Sequence, residues 1–257
     1  MIRFENVSFS YGAAPVLRDV SFHVKPGETV VMLGISGSGK STILKLVAGL
    51  VRPQKGRIWV NGSEVTGKSD QEWQDLRTRI GFVFQGGALF DSMTVGENIA
   101  YPLLEHTDKP LTEIETVARE TLRFLNLSED LLDTFPDSLS GGMQRRVAIG
   151  RAVAAIDPLI MLYDEPTTGL DPISTKAITE LILKLQAVKK VSSIVVTHQI
   201  ADAFEVTDHF IVLFNGVMVF DGNGAQLVRS EQEHVRAFLE PFLDSVQALP
   251  TIQGRTA

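Results

Sequence analysis

Lys40 and Ser41 close the run Gly34-Ile35-Ser36-Gly37-Ser38-Gly39-Lys40-Ser41, which fits the spacing G-x-x-x-x-G-K-[ST]. That spacing suits the grip of a phosphate chain. Glycines at 34, 37 and 39 let backbone N–H groups curl around phosphate oxygens with no Cβ in the way. Lys40 can reach the β- and γ-phosphates, and the Ser41 hydroxyl can take one position on Mg²⁺. An ordinary Gly-rich turn is the plainer alternative. The run lies between an apolar, partly β-branched stretch, Val30 to Leu33, and a helical pattern beginning at Thr42. Strand, loop and helix in that order favour a nucleotide site, with the helix N-terminus facing the phosphates. The loop alone does not specify which nucleotide.

Other positions could do chemistry with it. Asp164-Glu165 follows the apolar segment Leu159 to Tyr163, at the strand end where α/β ligand sites lie. Asp164 suits a ligand of Mg²⁺ or its water, and Glu165 a general base. Gln85 follows the apolar run Ile80 to Phe84, where it can either ligate Mg²⁺ or simply cap a loop. His198 ends the segment Ser193 to Thr197, where it can donate to a γ-phosphate or serve a structural role. Ser140-Gly141-Gly142 opens a helix and forms a second candidate anion site, suited to a neighbouring subunit's nucleotide. Asp171-Pro172 reads as an N-cap and first helical residue. Tyr11 can stack on an adenine, or be an edge-strand aromatic. Of Arg145, Arg146 and Arg151, at least two are expected on a solvated helix face. His23, His106, His209 and His234 have no sequence neighbours that suggest chemistry.

The elements that position these residues alternate strand and helix. At 257 residues and 44% hydrophobic, the chain can build one large α/β domain. It has no cysteine, which excludes disulfides, thiolate catalysis and thiolate metal sites. A net charge of −7 argues against coating nucleic acid. The N-terminus lacks the pattern of a signal peptide, and no run approaches the ~20 apolar residues of a membrane span. A cytoplasmic chain that meets a membrane only through partners is expected. Residues 1–24 predict an antiparallel β subdomain, and Asn215-Gly216 a hairpin turn. Residues 86–155 read as a helical insertion, interrupted at Pro102, Pro110 and Pro136, with one helix from Leu111 to Leu132. Residues 241–257 form a tail, either fraying or touching a partner.

In order and spacing these segments resemble the nucleotide-binding subunit of ATP-binding cassette (ABC) transporters. Gly34 to Ser41 resembles Walker A, Tyr11 the adenine-stacking loop, and Gln85 the Q-loop. Leu139-Ser-Gly-Gly-Met143 resembles the family signature, Leu159 to Glu165 Walker B, Leu170-Asp171 the D-loop, and His198 the switch histidine. The resemblance implies a P-loop NTPase fold of the ABC type. A mostly parallel core sheet would carry the antiparallel β and helical subdomains, over residues 1–240. It also implies ATP and Mg²⁺, held by Ser41, Gln85 and Asp164. Lys40 and Ser41 of one subunit would face Ser140, Gly141 and Gly142 of a second across the nucleotide. A homodimer is expected, since each motif occurs once. The groove between Gln85 and Val95, with Leu89, Phe90 and Met93 exposed, would receive a transmembrane permease.

A narrower resemblance lies in Gly86-Gly-Ala-Leu-Phe-Asp-Ser92 and His234-Val-Arg-Ala-Phe-Leu-Glu240, which are similar to ATPases of Mla and mammalian-cell-entry (Mce) lipid transport systems. It implies a motor on the cytoplasmic face of an inner membrane, moving phospholipid or related lipid to or from the outer envelope. An Mce-domain lipid-binding subunit and a small regulatory subunit are further partners it admits. Gln199 departs from the pattern, where aspartate more often follows the histidine. A cassette for another solute, such as an amino acid, is the alternative. A soluble cassette acting on DNA or the ribosome fits less well, because no coiled-coil arm or second cassette is present.

Overall fold

The computed structural model describes residues 1–154 and 158–242. The tail beyond 242 therefore lies outside the described residues.

The chain begins with β1 (Ile2–Tyr11) and β2 (Ala14–Val24), followed by β3 (Thr29–Leu33) and α1 (Lys40–Val47). Next come β4 (Lys55–Val60), β5 (Ser63–Glu64), α2 (Asp70–Arg77) and β6 (Ile80–Val83). Three helices follow: α3 (Val95–His106), α4 (Leu111–Phe124) and α5 (Gly141–Val153). The chain then runs through β7 (Ile160–Asp164), α6 (Pro172–Lys189), β8 (Ser192–Val196) and α7 (Ile200–Val206). It closes with β9 (His209–Phe214), β10 (Val217–Asn223), α8 (Gly224–Val228) and α9 (Glu233–Leu239).

The strands form two sheets. One is antiparallel, in the order β2-β1-β4-β5, as expected from the first 24 residues. The other runs β10-β9-β3-β8-β7-β6, parallel throughout except for β10. Every residue of β3 and of β8 is buried, as a strand covered on both faces requires. Successive residues of β3 serve opposite cores. Val31 and Leu33 join Met161, Tyr163 and Ile149 on the face carrying α5 and α6. Val30 and Met32 join Leu162, Ile194 and the antiparallel-sheet residues Phe4 and Phe22.

Register decides where the chemistry goes. Tyr163 lies level with Val83 on one side and Val195 on the other, and Val31 with Val195 and Phe210. The C-terminal ends of β3, β6, β7 and β8 therefore share one edge, where α/β folds bind ligands.

The helical stretch differs from the sequence expectation in two places. The helix expected from Leu111 to Leu132 ends at Phe124. Asn126 adopts φ 54, and the Leu127 N–H donates back to the Leu122 carbonyl at 2.9 Å, a left-handed stop that satisfies the last carbonyls. Pro102 does not interrupt structure but sits inside α3. That helix tolerates it because Thr94 and Glu97 form a reciprocal cap and Ile99 and Leu103 are buried.

Candidate nucleotide site

A cavity of about 740 Å³ opens at that shared strand edge. Its floor is the loop from Ser36 to Thr42, and Gln85, Glu165 and His198 complete it from three other strand ends. Ser36 and His198, 162 positions apart in sequence (36 to 198), are thus brought together by the parallel register.

The loop is held by its own chemistry. Gly34 adopts φ 153 and Gly39 φ 104, and a Cβ on Gly34 would lie 2.3 Å from the Leu213 carbonyl oxygen. Only glycine fits there. Lys40 is buried, and its Nζ donates to the carbonyls of Gly34 at 2.7 Å and Ile35 at 3.0 Å. Burial lowers its pKa, while the charges of Glu165 and Asp164 oppose that shift. Ser38 is buried too, and its Oγ has no hydrogen-bond partner. The loop thus shapes a concave surface of backbone N–H groups at the start of α1.

Ser41 Oγ donates to Asp164 Oδ1 at 2.9 Å, joining α1 to the end of β7. Burial raises the Asp164 pKa and Glu165 adds to it, while the Ser41 bond and Lys40 pull it down. Among the described residues no group of three or more His, Cys, Asp and Glu could hold a metal. A hydroxyl, one carboxylate and the Gln85 amide are hard oxygen donors, too few for a closed cage. They fit Mg²⁺ whose remaining positions are filled by phosphates and water.

Glu165 adopts φ 50, an uncommon backbone conformation for a residue other than glycine. Its N–H donates to the Val196 carbonyl at 2.9 Å, and its carboxylate accepts from Thr168 Oγ1 at 2.9 Å. His198 Nδ1 lies 3.0 Å from the same carboxylate. The carboxylate is largely shielded and the imidazole about half exposed, and both line the cavity.

Several predicted residues lie outside the cavity. Tyr11 packs edge-on against Phe9, with ring centroids 4.7 Å apart, and is exposed. Ser140 caps α5 by accepting from the Met143 N–H at 3.3 Å, and Gly141 and Gly142 open that helix away from the cavity. A Cβ on Gly142 would lie 2.4 Å from Ser174 Oγ, so this glycine also lets α5 approach α6. Asp171 caps α6, accepting from the Ile173 and Ser174 N–H groups.

Other expectations need correction. None of the three arginines of α5 is merely solvated. Arg145 donates to the Phe84 carbonyl at 3.0 Å, Arg146 to the Asn126 carbonyl at 3.0 Å, and Arg151 to the Gly87 carbonyl at 3.0 Å. Two of them therefore brace the segment that carries Gln85. Periodicity could not show this, because arginines spaced around a helix look alike whether or not carbonyls face them. Leu89 packs against the core, Met93 is half-buried, and Phe90 is exposed as expected. His209 was passed over, yet it bridges Glu28 at 2.8 Å and Asp221 at 2.7 Å. His234 stacks on Phe214, with centroids 4.1 Å apart.

Sequence reasoning also missed a wall of the cavity. Ala237 and Phe238 of α9, with Pro241 and Phe242 beyond it, line the side next to Ile35. The apolar spacing of α9 marks it as amphipathic, but nothing in the sequence says which surface it covers.

A second groove, of about 390 Å³, runs beside the edge strand β6. Phe82, Phe84, Phe90 and Tyr101 line it, with Arg77 and Arg151 at its sides. Among the described residues no helix is long and apolar enough to cross a membrane.

The family profile described as ABC transporter matches residues 17–168. The chain is 38% identical over 238 residues to a probable ribonucleotide transport ATP-binding protein, mkl, of Mycobacterium leprae. That match covers 93% of this chain and 68% of the relative, about two thirds of its length. It is 34% identical to the intermembrane phospholipid transport system ATP-binding protein MlaF of Haemophilus influenzae, covering 93% of this chain and 90% of that protein. Among solved structures it resembles a dimeric post-hydrolysis state of an ATP-binding cassette bound to ADP and Pi. That similarity has a TM-score of 0.80 at 33% identity, covering 87% of this chain and 98% of the other. Fold, phosphate loop and family profile agree: the chain belongs to the ABC transporter family, as one of its ATP-binding cassette ATPases.

Proposed function

We propose that this chain is the ATP-hydrolysing motor of a transporter that moves phospholipid or a related lipid between an inner membrane and the outer envelope. One observation carries the motor assignment. Lys40, Ser41, Gln85, Glu165 and His198 converge on one cavity, and Asp164 is hydrogen-bonded to Ser41 at its edge. The similarity of Gly86 to Ser92 to Mla and Mce ATPases, and the MlaF relative, support lipid as the cargo.

In this reading the phosphates of ATP lie along the loop from Ser36 to Thr42. Lys40 leaves the Gly34 and Ile35 carbonyls to meet the β- and γ-oxygens. Ser41, Asp164 and Gln85 would hold Mg²⁺, which would supply positive charge against the phosphates. Glu165 accepts the proton of the attacking water, and His198 donates to the γ-phosphate. Ser140, Gly141 and Gly142 lie outside the cavity of their own chain, which supports a homodimer in which they reach the partner's nucleotide. Tyr11 would stack on the adenine, and Asp171 would position the loop that meets the partner.

Residues 1–240 form the ATPase domain in this reading, with a helical subdomain over residues 86–155 and a tail from 241. The groove between Gln85 and Val95, whose Ala88 and Phe90 also line the groove beside β6, receives a permease, holding the chain peripherally at the cytoplasmic face of the inner membrane. Its aromatic lining suits an amphipathic helix. An Mce-domain subunit and a small regulatory subunit complete the proposed assembly.

The mycobacterial relative's name favours a second cargo, a soluble solute. Capture of membrane partners by the Glu165→Gln protein with ATP, followed by mass spectrometry of proteins and lipids, separates the two. A permease with an Mce-domain subunit and bound phospholipid is expected. A permease with a soluble-solute receptor would overturn the lipid cargo, and no membrane partner would overturn the transporter role.

A further inference from the structure

Two side-chain rungs join the loop after β7 to the loop after β8. The first is His198 Nδ1 to the Glu165 carboxylate at 3.0 Å. The second is Thr167 Oγ1, donating to Gln199 Oε1 at 3.2 Å. Because 198–199 and 167–168 are chain neighbours, and Thr168 Oγ1 donates to Glu165 at 2.9 Å, the rungs close a ring through both loops.

The rungs differ in location. Glu165 and His198 line the cavity, while Thr167 and Gln199 do not. Thr167 is buried, Gln199 is half-buried, and the Gln199 N–H donates to Thr197 Oγ1 at 3.0 Å. A Thr197 N–H bond to the Met32 carbonyl at 3.2 Å then ties this loop to β3, which leads into the phosphate loop. When a nucleotide occupies the cavity, the first rung must yield as His198 and Glu165 turn to phosphate and water. The second lies behind the site and can persist.

We propose that Gln199 is a positioning residue for hydrolysis, keeping His198 and Glu165 at working separation through its bond to Thr167. The proposal rests on the ATPase reading of Glu165 and His198. Glu165 occupies an uncommon backbone conformation that surrounding contacts must hold in place. Loss of the second rung leaves the Glu165–Thr168 turn joined to the end of β8, behind the nucleotide, only by the backbone bond from Glu165 N–H to the Val196 carbonyl. Ground-state binding through the phosphate loop is untouched, so the cost falls on turnover.

The test is steady-state ATP turnover by the full chain, for Gln199→Met, Thr167→Val, the double variant, Thr167→Ser and Glu165→Gln. Gln199→Met and Thr167→Val are near-isosteric losses of the acceptor and the donor. Each is expected to lower kcat by about three- to tenfold, the worth of one hydrogen bond, with KM for MgATP within about twofold of wild type. The double variant should be no slower than either single one, since both remove the same bond. Thr167→Ser, which keeps the hydroxyl, should retain wild-type kcat. That last comparison guards against a mere folding defect at this buried position.

Full kcat in Gln199→Met, additive losses in the double variant, or a rise confined to KM would each overturn the proposal while Glu165→Gln remains inactive. Wild-type turnover in Glu165→Gln would instead overturn the reading of the site on which the proposal rests.

Discussion

The His198 ring and the Glu165 carboxylate meet at 3.0 Å across the ends of two neighbouring parallel strands, the carboxylate largely shielded and the ring half-exposed. Neither residue is near the other in sequence. In the proposed reading, that contact sets the general base beside the group that donates a hydrogen bond to the γ-phosphate.

Replacement of Glu165 by Gln keeps the shape and removes the base. Turnover is expected to fall by about a hundredfold or more, the usual worth of a positioned proton acceptor. Nucleotide binding should survive and an ATP-bound dimer accumulate, read by size-exclusion chromatography with and without ATP. Turnover equal to wild type would remove Glu165 from the base role.

The Ser41–Asp164 bond predicts a metal phenotype. Loss of a hydroxyl ligand in Ser41→Ala should raise the free Mg²⁺ needed for half-maximal turnover by about tenfold. A titration of turnover against Mg²⁺ at saturating ATP reads this directly. An unchanged midpoint would place Mg²⁺ elsewhere.

Arg145 is buried, and desolvation lowers its pKa, yet it still donates to the Phe84 carbonyl beside Gln85. Arg145→Met leaves that carbonyl only the Gly87 N–H, which donates to it at 2.9 Å, and removes a hydrogen bond from a charged group worth about 1.5–3 kcal/mol. Urea unfolding should show a lower midpoint, and turnover should fall as Gln85 loses its brace. Unchanged stability would mean water replaces the guanidinium.

His209 supplies a pH-dependent clamp at the far end of the sheet. Its bond to Asp221 raises its pKa, burial opposes that, and the bond and charge of Glu28 raise it further. For Glu28, burial pushes the pKa up, but the Lys25 backbone N–H and His209 outweigh it and leave the value below the ordinary range. A raised histidine pKa stabilises the fold fully below the unfolded-state value, about 6.5, and that stability is lost as pH rises through the folded value. The lowered Glu28 value acts in the other direction, its contribution being lost as pH falls through the folded value. Wild type should therefore exceed His209→Gln in unfolding free energy by more at pH 6 than at pH 9. An equal difference at both would show that the imidazolium is not what the two carboxylates hold.

Much of the site was local enough to read in the sequence. Gly34 to Ser41 is legible because a phosphate loop is built from backbone and consecutive side chains. Asp164 and Glu165 are legible because an apolar strand ends where they begin. Asp171-Pro172 is legible because helix caps use short-range bonds.

What tertiary structure alone decided depends on which surfaces meet. The carbonyls facing Arg145, Arg146 and Arg151, the two carboxylates around His209 and the α9 wall beside Ile35 come from distant segments. So does the second rung between Thr167 and Gln199. Periodicity states that a face is apolar or charged and is silent on its partner. The level register of β3, β6, β7 and β8 turns separate motifs into one cavity, because parallel pairing fixes where every strand ends relative to its neighbours.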